Sequence, residues 1–144
     1  LNIFGFEHKE YVKFMNGMES YYDANMDLLN GEVRHQLLNK KRPVFTKTRD
    51  DMPTRYGTKS QVKNSLIADG CVIDGIVKNS ILFRGVKVAK GAVVENCILM
   101  QEANVLENAN LVNVIADKNV TISSDVVLKG TEDKKIVLKK NQSL

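Results

Sequence analysis

Six basic residues are the side chains here whose type and grouping could do chemistry. Arg42, Lys47, Arg49 and Arg55 fall in RPVFTKTRDDMPTRYG, and Arg84 and Lys87 in RGVK. Guanidinium forks and ammonium groups hold phosphate oxygens through charge-assisted hydrogen bonds, so these six are candidates for binding a phosphorylated sugar or nucleotide effector. The competing reading is a solvated basic surface. Acid–base catalysis finds less support. The two histidines, His8 and His35, both precede the repeat described below, whereas acyl transfer on such a repeat needs a general base on the repeat itself. Cys71 and Cys97 lie in apolar surroundings without C-x-x-C spacing or an adjacent His, which points to buried free thiols. No metal-ligand spacing, Gly-rich phosphate loop or Ser/His/Asp set is present. The sequence therefore offers no catalytic residue and no metal site.

The element that must position Arg84 and Lys87 is a repeat. Asn64-Ser65-Leu66-Ile67 returns as Asn79-Ser80-Ile81-Leu82, Asn96-Cys97-Ile98-Leu99 and Asn113-Val114-Ile115-Ala116. Between these tetrads small or β-branched residues recur every six positions: Ser80, Val86, Ala92; Cys97, Ala103, Ala109; Val114, Val120, Val126. Two residues after each stands a mostly aliphatic partner: Leu82, Val88, Val94; Leu99, Val105, Leu111; Ala116, Ile122, Leu128. A period of six fits neither an amphipathic helix nor a hairpin strand. It fits a three-sided coil in which each side takes one hexad, with the small residue and its partner both facing inward. The expected fold is mainly β: a parallel β-helix of the hexapeptide kind, about four coils over residues 61–131, stacked about 4.8 Å apart. Such stacking puts Asn64, Asn79, Asn96 and Asn113 in one corner column, as a structural amide ladder or, alternatively, a ligand-binding row.

The flanking segments are expected to be different. Residues 1–17, with IFGF and YVKF, read as short strands at the edge of another domain. Residues 18–60 read as a helical linker and extended connector. Within it, MESYYDANMDLL places Met18, Tyr22, Met26 and Leu29 on one face, Asn30-Gly31 ends that helix with Gly in a left-handed cap, and EVRHQLL forms a short helix with Val33 and Leu37 inward. Residues 132–144 read as a cap or tail over the end of the coil.

Composition narrows the class. An apolar fraction of 43% and a charged fraction of 26% are those of a soluble globular protein, and no run is long enough to span a bilayer. The net charge of +4 is spread among interleaved acidic residues, with no basic stripe carrying aromatics, so nucleic acid is not an expected partner. Buried thiols suit a reducing, cytoplasmic setting. The first residue is Leu rather than Met, as expected of a piece of a longer protein.

At ESYYDANMDLLN, RPVFTKTRDDMPTRYG and SLIADGCVIDG…NSILFRGVKVAKGAVVENCILMQ the sequence resembles the ADP-glucose pyrophosphorylase (glucose-1-phosphate adenylyltransferase) family over residues 3–130. The resemblance implies a left-handed coil, bacterial glycogen biosynthesis, allosteric regulation by a phosphorylated effector, and assembly into a hetero- or homotetramer. It also implies a nucleotidyltransferase domain upstream that uses ATP with Mg. Catalytic members of the family carry Tyr-Trp-x-Asp-Val-Gly-Thr just before the linker helix, with its Asp helping to hold the metal. The matching segment here is Tyr11-Val12-Lys13-Phe14-Met15-Asn16-Gly17, and a phenyl ring cannot ligate a hard cation. This departure resembles the GlgD-type glycogen-biosynthesis branch, which pairs with a catalytic subunit and modulates it. Two alternatives remain beside this reading: a purely structural assembly module, and a hexapeptide acyltransferase.

Overall fold

The six-residue rhythm becomes three flat parallel sheets. A computed structural model describes residues 1–144, which divide into two units, Leu1–Thr46 and Lys47–Leu144. In the second unit the chain runs round a triangular prism, laying one strand on each side in turn. One side, sheet A, consists of β1 (Arg55–Tyr56), β4 (Val72–Ile73), β7 (Lys87–Val88), β10 (Asn104–Val105) and β13 (Thr121–Ile122). Sheet B consists of β2 (Gln61–Lys63), β5 (Ile76–Lys78), β8 (Val93–Glu95), β11 (Asn110–Val112) and β14 (Val127–Lys129). Sheet C consists of β3 (Leu66–Ile67), β6 (Ile81–Leu82), β9 (Ile98–Leu99), β12 (Val114–Ala116) and β15 (Ile136–Leu138). From β1 to β13 the chain makes four full turns.

The register is strict. Arg55, Val72, Lys87, Asn104 and Thr121 stand above one another on sheet A, and Val62, Val77, Val94, Leu111 and Leu128 on sheet B. Every inward residue named from the six-residue period is buried except Val126 and Leu128, which are partly covered near one end of the prism. Cys71, Ile73, Val77 and Leu138 join the same core. Ser80, a polar residue in an inner slot, is fully buried and satisfied: its hydroxyl donates to Lys78 O at 2.6 Å and accepts from the Cys97 N–H at 3.0 Å. Both cysteines are free, and burial pushes the Cys97 thiol up to about 12 and raises that of Cys71, so neither is a thiolate at neutral pH.

The prism extends beyond the periodic segment. Arg55–Tyr56 pairs with β4, so the end of the supposed connector is the first strand of sheet A. Ile136–Leu138 pairs with β12, and Ser143 bridges Thr121, so the C-terminal segment continues the coil instead of only covering it. At the N-terminal flank Thr54 and Ser60 already continue the six-residue rhythm, with Tyr56 and Val62 as their partners, whereas the C-terminal flank puts the larger Ile136 opposite Val114 and so hides the pattern.

The first unit holds α1 (Met18–Asp27) and α2 (Gly31–Leu37). Tyr22 is buried, Met26 and Leu29 are half-buried, and Met18 is exposed. Gly31 does not take a left-handed cap. Asn30 instead opens α2, its side chain accepting the Glu32 N–H at 2.8 Å, because Asn is a better N-cap than Gly is a necessary stop. Leu37 is exposed and does not face inward. Residues 1–14 form no strand, and Ile3, Phe4, Phe6 and Phe14 are exposed: a strand needs a neighbour to pair with.

The corners explain the Asn tetrads. Asn64, Asn79, Asn96 and Asn113 have φ of 47°, 45°, 52° and 53°, the left-handed region that Asn tolerates better than other residues with a Cβ. Asn64 Nδ2 donates to Asn79 Oδ1 at 2.9 Å and Asn113 Nδ2 to Gly130 O at 3.1 Å. Asn79→Ala is expected to cost about 2 kcal/mol, from the lost amide bond and the strained φ together, while Asn79→Gly recovers about 1 kcal/mol of it. Urea denaturation of the two variants checks this; equal stability would mean that φ at the corner does not matter.

Candidate functional site

The other two corners follow the same rule. Gly70, Gly85, Glu102, Asn119 and Asn141 have positive φ along one corner, and Gly91, Asn108 and Asp125 along the next. Side chains bond along each column: Asn119 Nδ2 donates to Asn141 Oδ1 at 3.1 Å, and Asn108 Nδ2 to Asp125 Oδ1 at 3.2 Å. Sequence reading missed both columns because Gly, Glu, Asn and Asp alternate in them, although the 17-residue recurrence of Gly91, Asn108 and Asp125 was a usable signal.

Arg42 lies in the first unit and pairs with Glu10. The other five basic candidates lie in the second unit and do not converge on one point. In the second unit Arg49 Nε and Arg84 Nε lie 3.8 and 3.7 Å from the same oxygen, Oδ2 of Asp51. Asp51 thus brings two of the candidates together, and this oxygen is buried and accepts no hydrogen bond. Arg55 Nη2 is 4.0 Å from Asp74 Oδ2. Lys87 projects from the same outer column as Arg55, two rungs or about 10 Å along. Lys47 and Lys87 are exposed. The carboxylates of Asp51 and Asp74, which the list of cations alone overlooked, partly neutralise the cluster and fix its geometry.

The segment carrying Phe14 is anchored on α1. The Tyr11 hydroxyl donates to Asp27 Oδ2 at 2.8 Å and Lys13 Nζ to the same oxygen at 3.1 Å. Burial and this carboxylate push the Tyr11 hydroxyl up to about 12, and the Tyr11 bond helps hold the Asp27 carboxyl below its usual range. Phe14 itself is exposed, and no three His, Cys, Asp or Glu side chains gather where they could hold an ion.

Parallel strands in threes, six-residue spacing and left-handed corners define a hexapeptide-repeat β-helix. The chain belongs to the GlmU-like, C-terminal hexapeptide family, whose profile matches residues 48–138. It is 41% identical over 140 residues to glycogen biosynthesis protein GlgD of Bacillus subtilis (strain 168), covering 97% of this chain and 41% of that protein. GlgD of Geobacillus stearothermophilus is 52% identical over 71 residues, 49% of this chain and 21% of that one. Glucose-1-phosphate adenylyltransferase of Bacillus mycoides (strain KBAB4) is 31% identical over 119 residues, 83% of this chain and 32% of the enzyme. The likeness to GlgD runs along nearly the whole chain, yet the chain spans 41% of that relative's length. No helix is long and apolar enough to cross a membrane.

Proposed function

We propose that this chain is the regulatory and oligomer-forming region of a glucose-1-phosphate adenylyltransferase-type subunit of the modulatory kind, serving glycogen biosynthesis. The observation that carries the reading is the 41% identity to a glycogen biosynthesis protein over 97% of the chain. Phe14, standing where the resemblance puts the family's metal-ligating Asp, supports a reading in which a catalytic partner subunit carries out nucleotidyl transfer from ATP to glucose 1-phosphate with magnesium. The rigid prism supplies flat outer faces for assembly. The pair Arg49 and Arg84, held on Asp51, with Arg55 and Lys87, supplies the chemistry for a phosphorylated effector: a phosphate competing with Asp51 would take both guanidinium forks.

Thermal shift tests the regulatory part. Fructose 1,6-bisphosphate, glucose 6-phosphate or AMP in large excess is expected to raise Tm by several degrees, and Arg49→Ala with Arg84→Ala to abolish the rise. The neutralisation of Arg49, Arg84 and Arg55 by aspartates favours a second reading, a purely structural assembly module. Absence of any thermal response, with association to a catalytic homologue retained, would select it. His8 and His35 both lie outside the coils, so acyl transfer has no base on the prism.

A further inference from the structure

Two Asn-Gly pairs stand in the first unit, Asn16-Gly17 and Asn30-Gly31, and the sequence holds no others. In such a pair the backbone nitrogen after Asn can attack the Asn side-chain carbonyl carbon, because Gly has no Cβ to block the approach and lets the backbone bend toward it. Both pairs are exposed, but their surroundings differ.

Asn30 is fixed. Its Oδ1 accepts the Glu32 N–H at 2.8 Å and its carbonyl the Arg34 N–H at 3.1 Å, so side chain and backbone are both tied into the first turn of α2. Gly31 is already helical. The group on Asn30 Oδ1 is a backbone N–H, which donates and cannot take a proton in exchange.

Asn16 precedes α1, and the group beside it is a hydroxyl. Ser20 Oγ accepts the Gly17 N–H at 3.0 Å and donates to Asn16 Oδ1 at 3.0 Å. The same oxygen accepts the Asn16 N–H at 3.0 Å and has Gly17 O, also at 3.0 Å, as a second acceptor for its one proton. One hydroxyl therefore touches both the attacking N–H and the carbonyl oxygen that gains charge, each within the range for proton transfer. Gly17 is extended, with φ −174° and ψ −179°, and a Cβ there would meet nothing within 4 Å, so water reaches the pair freely.

We propose that Asn16 is a self-modifying site, converted to aspartate and isoaspartate through a succinimide, with Ser20 as the proton relay. The Gly17 nitrogen forms a bond to Asn16 Cγ; its proton passes to Ser20 Oγ as the Ser20 proton passes to Asn16 Oδ1. When the Cγ–Nδ2 bond breaks, the proton on Oδ1 goes to the departing nitrogen, the carbonyl reforms and ammonia leaves. Solvent water then opens the ring at either carbonyl, its oxygen ending in the new carboxylate. The product carries a negative charge, and in the isoaspartate form an extra backbone methylene, at the joint between residues 1–15 and α1.

Peptide mapping by mass spectrometry, after ageing the full chain at mildly alkaline pH in ordinary and in heavy-oxygen water, tests this. Conversion at Asn16 should outpace that at Asn30 about fivefold or more, with heavy oxygen in the product carboxylate. Ser20→Ala should slow it about fivefold at Asn16 and leave Asn30 unchanged, while Ser20→Thr, which keeps the hydroxyl, retains the rate. Because Ser20→Ala also removes contacts at the start of α1, the unaltered chain is aged in parallel in guanidinium chloride. Unfolding should slow Asn16 and speed Asn30. Conversion of Asn30 as fast as that of Asn16, a rate at Asn16 undiminished by Ser20→Ala, or a rate at Asn16 that rises on unfolding would overturn the proposal.

Discussion

Leu111→Ala is expected to destabilise the prism by about 2–5 kcal/mol, the range for removing a large buried aliphatic side chain from a core that relaxes only in part. Leu111 is fully buried, with Val94 and Leu128 directly above and below it in sheet B. A triangular coil has a core one layer thick on each side, so the gap has few movable neighbours to collapse into it. With about 100 residues in the unit, each kcal/mol corresponds to roughly 4–8 °C, and a fall in Tm of about 10 °C or more follows. Val127→Ala, on an exposed outer position of β14, should change stability by no more than about 0.5 kcal/mol. Differential scanning calorimetry of the two variants checks the contrast. A Leu111→Ala loss no larger than that of Val127→Ala would mean that the six-residue period does not mark the inside.

The second large effect is Gly75→Ala. Its backbone conformation is open to any residue, so the cost is not one of φ. It comes from two carbonyl oxygens of the next coil, those of Ala92 and Ala89, which also accept the backbone bonds from Ile76 and Ala92 at 2.8 and 3.2 Å. A methyl at 2.5 Å from one of them forces the ladder itself to move, and about 1–3 kcal/mol or more is expected. Gly57→Ala should be milder, because the atom it meets first is the Asp74 carboxylate, the end of a side chain that can swing away. Hydrogen exchange at Ile76 and Ala92 reports the damage locally; unchanged protection there in Gly75→Ala would show that the Asp74-Gly75 corner is slack.

How legible this was from sequence varies by element. The inner columns were readable because a side chain stacked on its own kind leaves a strict period, and Ala103, Ala109 and Leu111 are where that period puts them. Asn64, Asn79, Asn96 and Asn113 were recognisable as a column, but their spacing does not distinguish selection of Asn for a left-handed φ from selection for an amide ladder. The spacing of 15 residues between Asn64 and Asn79, against 17 for the later pairs, already recorded the shortened corner. What it could not convey is that this corner, Asp74-Gly75 where the coils either side have four residues, leaves a notch lined by Gly57, Asp74 and Ala89, since that depends on those coils keeping full length. For the basic candidates, residue type was legible and pairing was not: Asp51 meets Arg84 across 33 positions of sequence, a contact created only by the winding. Helix ends in the first unit failed for a local reason, Asn30 and Gly31 being suited equally to stop one helix and to start another.

The most direct test of the functional account is ADP-glucose synthesis from ATP and glucose 1-phosphate. It should be measured for a catalytic glucose-1-phosphate adenylyltransferase alone, for the protein bearing this chain alone, and for the two mixed. The account predicts no appreciable product from the second, and from the mixture a rate or an effector response that differs from the first. Product from the second at the rate of the catalytic enzyme, or a mixture indistinguishable from the catalytic enzyme by itself, would contradict it.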